Sequence, residues 1–204
     1  MREKYVEVLS KYIHKDAVDQ IVSWVMNYGV HLKITSGRST KLGDFRPNPD
    51  KDRGHKITIN YNLNRHSFLI TLVHEMAHLV TWNQYGNRVK PHGTEWKYHY
   101  REMLLPFLNT AVFPGDVSTA LVRYLDNPAA SSCTDVHLMR TLMKYDEDQG
   151  ILLEDIPGQS VFRLETGRVF KKGEKRRKYY ECQEISTGRQ YLINPLAVVE
   201  PVRS

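Results

Sequence analysis

Residues 66–85 constrain the fold of this chain more than any other segment. Apolar side chains recur there at helical spacing over most of the circumference, and Gly86 follows as a stop signal. A helix with so little polar surface has to be buried, so the rest of its domain must pack around it. His74, Glu75 and His78 nevertheless lie in its middle. Burying such groups is costly unless something satisfies them, so they are the first candidates for a functional site.

The run from 74 to 78 reads H-E-x-x-H. Histidines four residues apart lie on one face of a helix, so both imidazoles can reach a single Zn²⁺ ion. Glu75 can lie beside a metal-bound water and take its proton as that water attacks a carbonyl group. The motif therefore predicts a zinc-dependent hydrolase with Glu75 as the general base. The alternative is a helix whose histidine and glutamate side chains pair locally or face solvent.

A catalytic zinc needs a third protein ligand and one open coordination position. His92 is the favoured third ligand, because it lies where a loop enters the next predicted helix, at 94–105, and such a loop can reach back to the first helix. Glu95, His99 and Glu102 are rival third ligands. Glu102, on the second helix, would give the arrangement of the site that has a glutamate ligand.

The sequence resembles the SprT-like family, the Spartan-type zinc metallopeptidases. The runs that carry the resemblance are HEMAHL at 74–79 and HGTEW at 92–96. Segments 39–43 and 57–60 also resemble the strand pair that precedes the active-site helix in that family. The resemblance covers about residues 5–110 and is specific around the two runs.

This resemblance implies that His74, His78 and His92 bind one zinc ion per chain and that Glu75 is the general base. It implies an α+β fold, a minimal zincin-like metallopeptidase domain in which a short sheet packs on the active-site helix. The expected activity is that of a zinc metalloendopeptidase acting on a protein or peptide. The best-known family members cleave proteins crosslinked to DNA, and some bind DNA, so DNA-associated proteins are the expected substrates.

The pattern changes after residue 150 from helices to short strands. We therefore expect a SprT-like domain over 1–150 and a small antiparallel β appendage over 151–204. Glycines and one proline separate the runs that predict strands, which are 160–164, 168–171, 178–184, 189–193 and 197–200. Before the active-site motif, the patterns predict an amphipathic helix over 3–28, broken near 14–16, and three strands within 30–61.

The appendage departs from the family pattern. Many SprT-like proteins end in a zinc ribbon with two pairs of cysteines, whereas this chain has only Cys133 and Cys182 and no C-x-x-C motif. A ribbon that lacks its metal ligands would have to be held by apolar packing. The same count excludes a disulfide framework and an all-cysteine zinc site.

The positive charge of the chain is concentrated in one segment. Lys and Arg number 29 against 23 Asp and Glu, a net charge of +6, and residues 168–178 carry the whole excess. We interpret residues 171–178 of this segment as a β-hairpin tip that contacts DNA phosphates, with Tyr179 and Tyr180 stacking on bases. The proposed contacts are Lys171, Lys172, Lys175, Arg176, Arg177 and Lys178. The alternative is a solvated loop that protects a hairpin edge from aggregation.

Composition narrows the classes of protein to which this chain can belong. No apolar run approaches the roughly 20 residues that a membrane span needs, so we expect no membrane partner. Low cysteine content and a charged amphipathic start favour a cytoplasmic protein. Two other functions stay open: a nucleic-acid-binding module with a structural or vestigial zinc site, and an interaction protein whose metal only stabilises the fold.

Overall fold

The computed structural model describes residues 1–38, 41–48, 50, 54–108, 110–129 and 135–202. Over these residues the fold is mixed α+β, as the sequence predicts, and it divides into two compact units, Met1–Glu147 and Asp148–Ser204. Ser39 and Thr40 of the family-like segment, and Cys133, lie outside the described residues. None of the helices within the described part is both long and apolar enough to cross a membrane.

The first unit contains helices and a small sheet. Its elements are α1 (Arg2–Leu9), α2 (Lys15–Asn27), β1 (His31–Thr35), β2 (Gly43–Arg46), β3 (Lys56–Asn60), α3 (Arg65–Tyr85), α4 (Thr94–Leu108), α5 (Gly115–Leu125) and α6 (Val136–Met143). The break predicted in the first helix separates α1 from α2. His14 caps α2, because its side chain accepts a hydrogen bond from the backbone N–H of Asp16 at 3.4 Å.

Helix α3 is the centre of the first unit. Most of its 21 residues are buried, as its apolar sequence predicts. The side chain of Asn64 caps its start by accepting hydrogen bonds from the N–H groups of His66 and Ser67 at 3.1 and 2.9 Å. The amide of Asn64 also donates to the Asp146 carboxylate at 2.6 Å, so the cap ties the start of α3 to the segment after α6. Gly86, with φ of 62°, ends the helix.

The three-stranded sheet has the order β1-β3-β2. Strand β1 runs parallel to β3 and β2 runs antiparallel to it, so β1 and β2 form the two edges. Ile57 and Ile59 of β3 are fully buried in the core that contains α3. Gly43 and Phe45 of β2 lie directly opposite Ile59 and Ile57, so they share the face of the sheet that is turned toward α3.

The second unit is an antiparallel sheet of the order β7-β6-β5-β4-β8. Its strands are β4 (Val161–Leu164), β5 (Val169–Arg176), β6 (Tyr179–Glu184), β7 (Gln190–Ile193) and β8 (Val199–Pro201). Buried Phe162, Phe170 and Cys182 form its core together with Leu153 and Val199. Within the described residues, the only group of histidines, cysteines and carboxylates that could hold a metal ion lies in the first unit. The core of the second unit consists of buried apolar side chains and Cys182.

The basic segment lies at the end of the hairpin that β5 and β6 form, but its tip is shorter than the sequence predicts. Strand β5 continues to Arg176, so only Arg177 and Lys178 connect it to β6. The strand can extend this far because its register with β6 shifts between Lys172 and Lys175 in a β-bulge. Gly173 lies in the bulge, where a Cβ atom would collide with the carbonyl oxygen of Glu181.

Because side chains alternate along a strand, the side chain of Lys172 points into the core of the appendage. Its side chain is 4 % exposed, and its ammonium donates to the carbonyl oxygens of Ile156 and Glu154 at 2.6 and 3.3 Å. The ammonium also lies 4.2 Å from the ring centre of Tyr180. The prediction that Lys172 contacts DNA phosphates is therefore wrong, because its charge is used inside the fold. Lys171, its neighbour, is exposed.

We expect Lys172→Met to destabilise the appendage by about 1–3 kcal/mol, because it leaves two carbonyl groups without their donor. Hydrogen exchange of the β5 and β6 amides in the full chain measures this loss. Lys171→Met is the matched control and should change stability by less than about 0.5 kcal/mol. Equal protection in the two variants would contradict the role given to the Lys172 ammonium.

Candidate metal centre

Helix α3 and the loop before α4 bring three histidines together. His74 and His78 lie one turn apart on α3, and the Nε2 atom of His92 is 3.2 Å from that of His74 and 2.9 Å from that of His78. Tetrahedral zinc with Zn–N bonds of about 2.0–2.1 Å separates its nitrogen ligands by about 3.3 Å. The three nitrogens therefore have a spacing that suits one metal ion.

The rival third ligands lie outside this cluster. Among the described residues, the group that could hold a metal consists of His74, His78 and His92. His99 instead makes a 3.0 Å hydrogen bond to the side-chain oxygen of Gln84. Glu95 and Glu102 are not part of the group. The structure thus brings together the set that the sequence favours, while ligation itself stays a prediction.

A tight turn holds His92 in place. The N–H of Gly93 donates to the carbonyl oxygen of Lys90 at 3.0 Å, which closes a turn with Pro91 and His92 at its centre. His92 has φ of +57°, a left-handed conformation that costs a non-glycine residue about 1–2 kcal/mol. Gly93 is required next, because a Cβ atom there would lie 2.9 Å from the Lys90 oxygen. The strained residue is the one whose side chain reaches α3.

Aromatic rings surround the three imidazoles. Trp96, the fully buried residue in the first turn of α4, lies with its ring centre 4.6 Å from that of His74, 5.3 Å from His78 and 4.7 Å from His92. Tyr100 stacks on Trp96 at 4.8 Å and is itself fully buried, so it packs and does not face a substrate. These contacts restrict the imidazoles to one arrangement before any metal binds.

Glu75 lies against the backbone of β2. The N–H of Phe45 donates a hydrogen bond to its carboxylate, and a Cβ atom on Gly43 would lie 2.5 Å from its Oε1 atom. Only glycine lets the strand come this close. Burial raises the pKa of Glu75 to about 8, and the nearby Asp44 adds to this effect, although the Phe45 N–H and the charge of Arg38 oppose it.

Burial has the opposite effect on the histidines. The pKa of His74 is lowered to about 2 and that of His78 to about 3, first by burial and then by the neighbouring imidazoles of the cluster. The pKa of His92 is also lowered by burial. All three rings are therefore neutral near pH 7. Neutral imidazole is the form that binds a metal ion, so the site needs to release no proton from its histidines.

Sequence reasoning missed the part of the site that β2 supplies. Phe45 binds Glu75 through its N–H and stacks its ring on His78, with the two planes 6° apart and the ring centres separated by 6.4 Å. Gly43 lets the backbone of β2 come close to the Glu75 carboxylate. A glycine inside a strand pattern is the one local signal that could have indicated this contact. The pairing partner of the strand could not be read from the sequence alone.

The basic segment of the appendage is partly neutralised. Arg176 pairs with Glu181 at 3.2 Å, and Arg168 pairs with Glu184 at 2.6 Å. The Lys175 ammonium lies 5.7 Å from the Tyr180 ring centre. Lys171, Lys175, Arg177 and Lys178 are exposed, and none of them makes an ion pair with another described residue. The accessible cationic surface is therefore smaller than the sequence predicts.

Comparison with protein families matches residues 4–112 of this chain to the SprT-like family. Among curated proteins, a segment of 52 residues is 44 % identical to Protein SprT of Erwinia tasmaniensis. This match covers 24 % of the chain and 30 % of the relative, less than a third of the relative's length. No solved structure matches the chain. The family match includes the three histidines and Glu75 and ends before the appendage.

Removal of a single histidine tests which residues bind the metal. His92→Ala should lower the affinity for zinc by more than about 100-fold, because loss of a ligand exceeds the effect of losing an outer-shell partner. Competition with a chromophoric chelator measures this affinity. His99→Ala and Glu102→Ala are controls that should bind zinc as the wild type does. If one of these controls lost its affinity for zinc while His92→Ala kept it, the residue changed in that control would be the third ligand.

The pKa values of the metal-free site predict that the free energy of unfolding has a maximum near pH 6.5. Below this pH the unfolded chain protonates His74 and His78 while the folded chain keeps them neutral, and these two outweigh Glu75, so stability falls as pH falls. Above it, the folded chain keeps Glu75 protonated to about pH 8 while the unfolded chain does not, so stability falls as pH rises.

Denaturant unfolding of the metal-free protein between about pH 5 and 8 measures both effects. In Glu75→Gln the free energy of unfolding should no longer fall as the pH rises above about 6.5, but it should still fall as the pH drops below this value. An unchanged alkaline loss in this variant would contradict the raised pKa of Glu75.

Proposed function

Because the chain belongs to the SprT-like family, we propose that it is a zinc metalloendopeptidase whose metal is held by His74, His78 and His92. The observation that carries this proposal is the convergence of three neutral imidazoles beside a buried carboxylate. A purely structural zinc site is usually closed by four protein ligands. A set of three leaves one position for water or substrate, which is the arrangement of catalytic zinc sites.

Glu75 is the proposed general base. When bound, zinc supplies Lewis acidity and lowers the pKa of water toward neutrality. A cation held beside Glu75 would favour its ionised form and so offset the effect of burial on its pKa. The Glu75 carboxylate then takes the proton of the attacking water and returns it to the amine that leaves when the peptide bond breaks. The Phe45 N–H and the backbone at Gly43 hold the carboxylate in one position, so its proton transfer needs no rearrangement of the side chain.

The position of β2 supports a polypeptide substrate. This strand is an edge of the sheet, and its residues Gly43 and Phe45 contact Glu75. An extended peptide that pairs with the free side of an edge strand has its main chain fixed by hydrogen bonds and its carbonyl groups at regular spacing. Pairing with β2 would therefore bring a peptide carbonyl to the metal centre regardless of sequence. A cytoplasmic location is part of this proposal and rests on the low cysteine content.

Glu75→Gln should keep zinc and lose activity. The amide cannot accept the proton of the water, so we expect cleavage to slow by about 10²–10⁴-fold while zinc affinity stays within about threefold. Labelled casein, and a protein crosslinked to a single-stranded oligonucleotide, are the substrates to compare. Glu102→Gln, on α4, is the control and should cleave at the wild-type rate. Zinc-loaded wild-type protein that cleaves neither substrate would overturn the proposed peptidase.

We also propose that the appendage contacts DNA, and that DNA-associated proteins are the substrates. The supporting observation is that Lys171, Arg177 and Lys178 are exposed without ion pairs to described residues, and that Tyr179, 42 % exposed, follows them. Cations can bind phosphates and an exposed tyrosine can stack on an unpaired base. If DNA binding occurs without any peptidase activity, the alternative of a nucleic-acid-binding module with a structural metal is favoured.

Reversal of three exposed charges of the appendage tests this contact. The triple variant Lys171→Glu, Arg177→Glu and Lys178→Glu should bind a single-stranded oligonucleotide more weakly, with the slope of log K against log salt reduced by about two. Fluorescence anisotropy at several salt concentrations measures both quantities.

The matched control reverses three exposed charges of the first unit. Lys15→Glu, Arg65→Glu and Arg123→Glu place acidic residues on exposed helix positions, two of them in first turns where acids are favourable. This variant should keep the wild-type salt slope. Equal slopes in both triple variants would show that the appendage does not supply the DNA contact.

A further inference from the structure

A groove separates α1 from β1, on the edge of the sheet that is opposite to β2. Its volume is about 760 Å³. Apolar side chains form most of its wall: Tyr5 and Val8 from α1, Val25 and Met26 from the end of α2, and Leu32 and Ile34 from β1. None of the lining residues belongs to the candidate metal centre. The groove is therefore a separate feature of the first unit.

The main chain of β1 borders this groove. The N–H of His31 donates to His55 and the carbonyl oxygen of Thr35 accepts from Tyr61, so the odd-numbered residues of β1 turn their main chain toward β3. Alternation along a strand points the main-chain groups of Leu32 and Ile34 the other way. No described strand pairs with that side of β1. The N–H of Leu32 reaches only the carbonyl oxygen of Val30, at 3.2 Å.

Cationic side chains lie on the other face of this edge. Lys33 alternates with Leu32 and Ile34, so it points to the face away from the apolar wall, and exposed Lys56 pairs in register with His31 beside it. Lys4 adds a third exposed cation on the α1 wall. No described residue forms an ion pair with any of the three lysines, and none of the lining residues is acidic.

We propose that the groove and the edge of β1 bind an extended segment of a partner protein in which apolar and acidic residues alternate. The backbone of such a segment would pair with the free side of β1. Its side chains would point alternately to the two faces, so that every second residue enters the apolar groove and the residues between them meet Lys33 and Lys56. The five residues of β1 provide a binding edge about 17 Å long.

The charges favour this occupant over a second copy of the chain. Two β1 strands paired edge to edge would bring their Lys33 and Lys56 side chains together, and like charges on neighbouring strands are destabilising. A small apolar molecule could fill the groove, but it would make no use of the main chain of β1. The alternating segment would bury its apolar side chains in the groove, form main-chain hydrogen bonds with the edge of β1 and pair its acidic side chains with the lysines.

Peptide binding to the full chain tests this proposal. The protein carries Glu75→Gln so that no peptide is cleaved, and the probe is an eight-residue capped peptide of alternating valine and glutamate. Calorimetry should show that it binds roughly tenfold more tightly than alternating valine and lysine, or than a peptide with four valines followed by four glutamates. Equal binding of the three peptides would overturn the proposal.

Two N-methylated forms of the probe test the main-chain pairing. One carries methyl groups on its odd-numbered amides and the other on its even-numbered amides. Only alternate N–H groups of a bound strand face β1, so one form should lose binding and the other should keep it. If both forms bind like the parent peptide, the groove takes up side chains without strand pairing and the proposal fails.

Variants of the protein test the location. Lys33→Glu should reverse the preference, so that the valine–lysine peptide binds more tightly, and Met26→Glu should weaken both by placing a charge in the groove. Arg123→Glu, an exposed reversal on α5, is the control and should bind like the parent. Binding that Lys33→Glu and Met26→Glu leave unchanged would overturn the proposal. A dimer in sedimentation that Lys33→Glu strengthens or abolishes would make a second copy the occupant.

Discussion

The desolvation of three polar side chains on α3 is the constraint on which the first unit depends. His74 and Glu75 are buried and His78 is half-buried, because the apolar residues around them on the helix form the core. Each loses the solvation that water provides, and their pKa values shift toward the neutral forms. The surroundings compensate with the Trp96 ring, the Phe45 N–H and the approach of His92. The loop before α4 and the edge strand β2 therefore supply the contacts that stabilise the desolvated side chains of α3.

The sequence predicted the parts of this arrangement that depend on local pattern. The buried character of α3 follows from its apolar residues, and the pairing of His74 with His78 follows from helical spacing. His92 could be favoured as the third ligand because the loop before the predicted second helix can reach back to α3. The contacts of Gly43 and Phe45 were not accessible, because they depend on which strand pairs with β3 and on how closely the sheet approaches the helix. Gly43 inside the strand pattern was a local sign of a close backbone approach, but it did not identify the partner.

The appendage shows the same limit. A run of cations reads as a solvated loop, yet the bulge at Gly173 lets β5 continue through it. The alternation of a strand then sends neighbouring lysines to opposite sides, so that Lys171 meets solvent and Lys172 meets the core. Net charge counts both equally, whereas only one of them can attract an external anion. The polar side chains of the two units thus have different positions. Helix α3 brings its histidines and Glu75 together at one site, whereas β5 places its lysines partly at the surface and partly in the interior.

Lys172 also changes how the two units depend on their surroundings. Its ammonium binds the 154–156 loop to the sheet with a cation that the polypeptide itself provides, whereas the cation proposed for α3 must come from solution. The appendage thus provides this bridging cation from its own described residues, whereas occupancy of the proposed α3 site would depend on metal in solution. If metal became scarce, the contacts of Lys172 would remain while the proposed α3 site lost its ion.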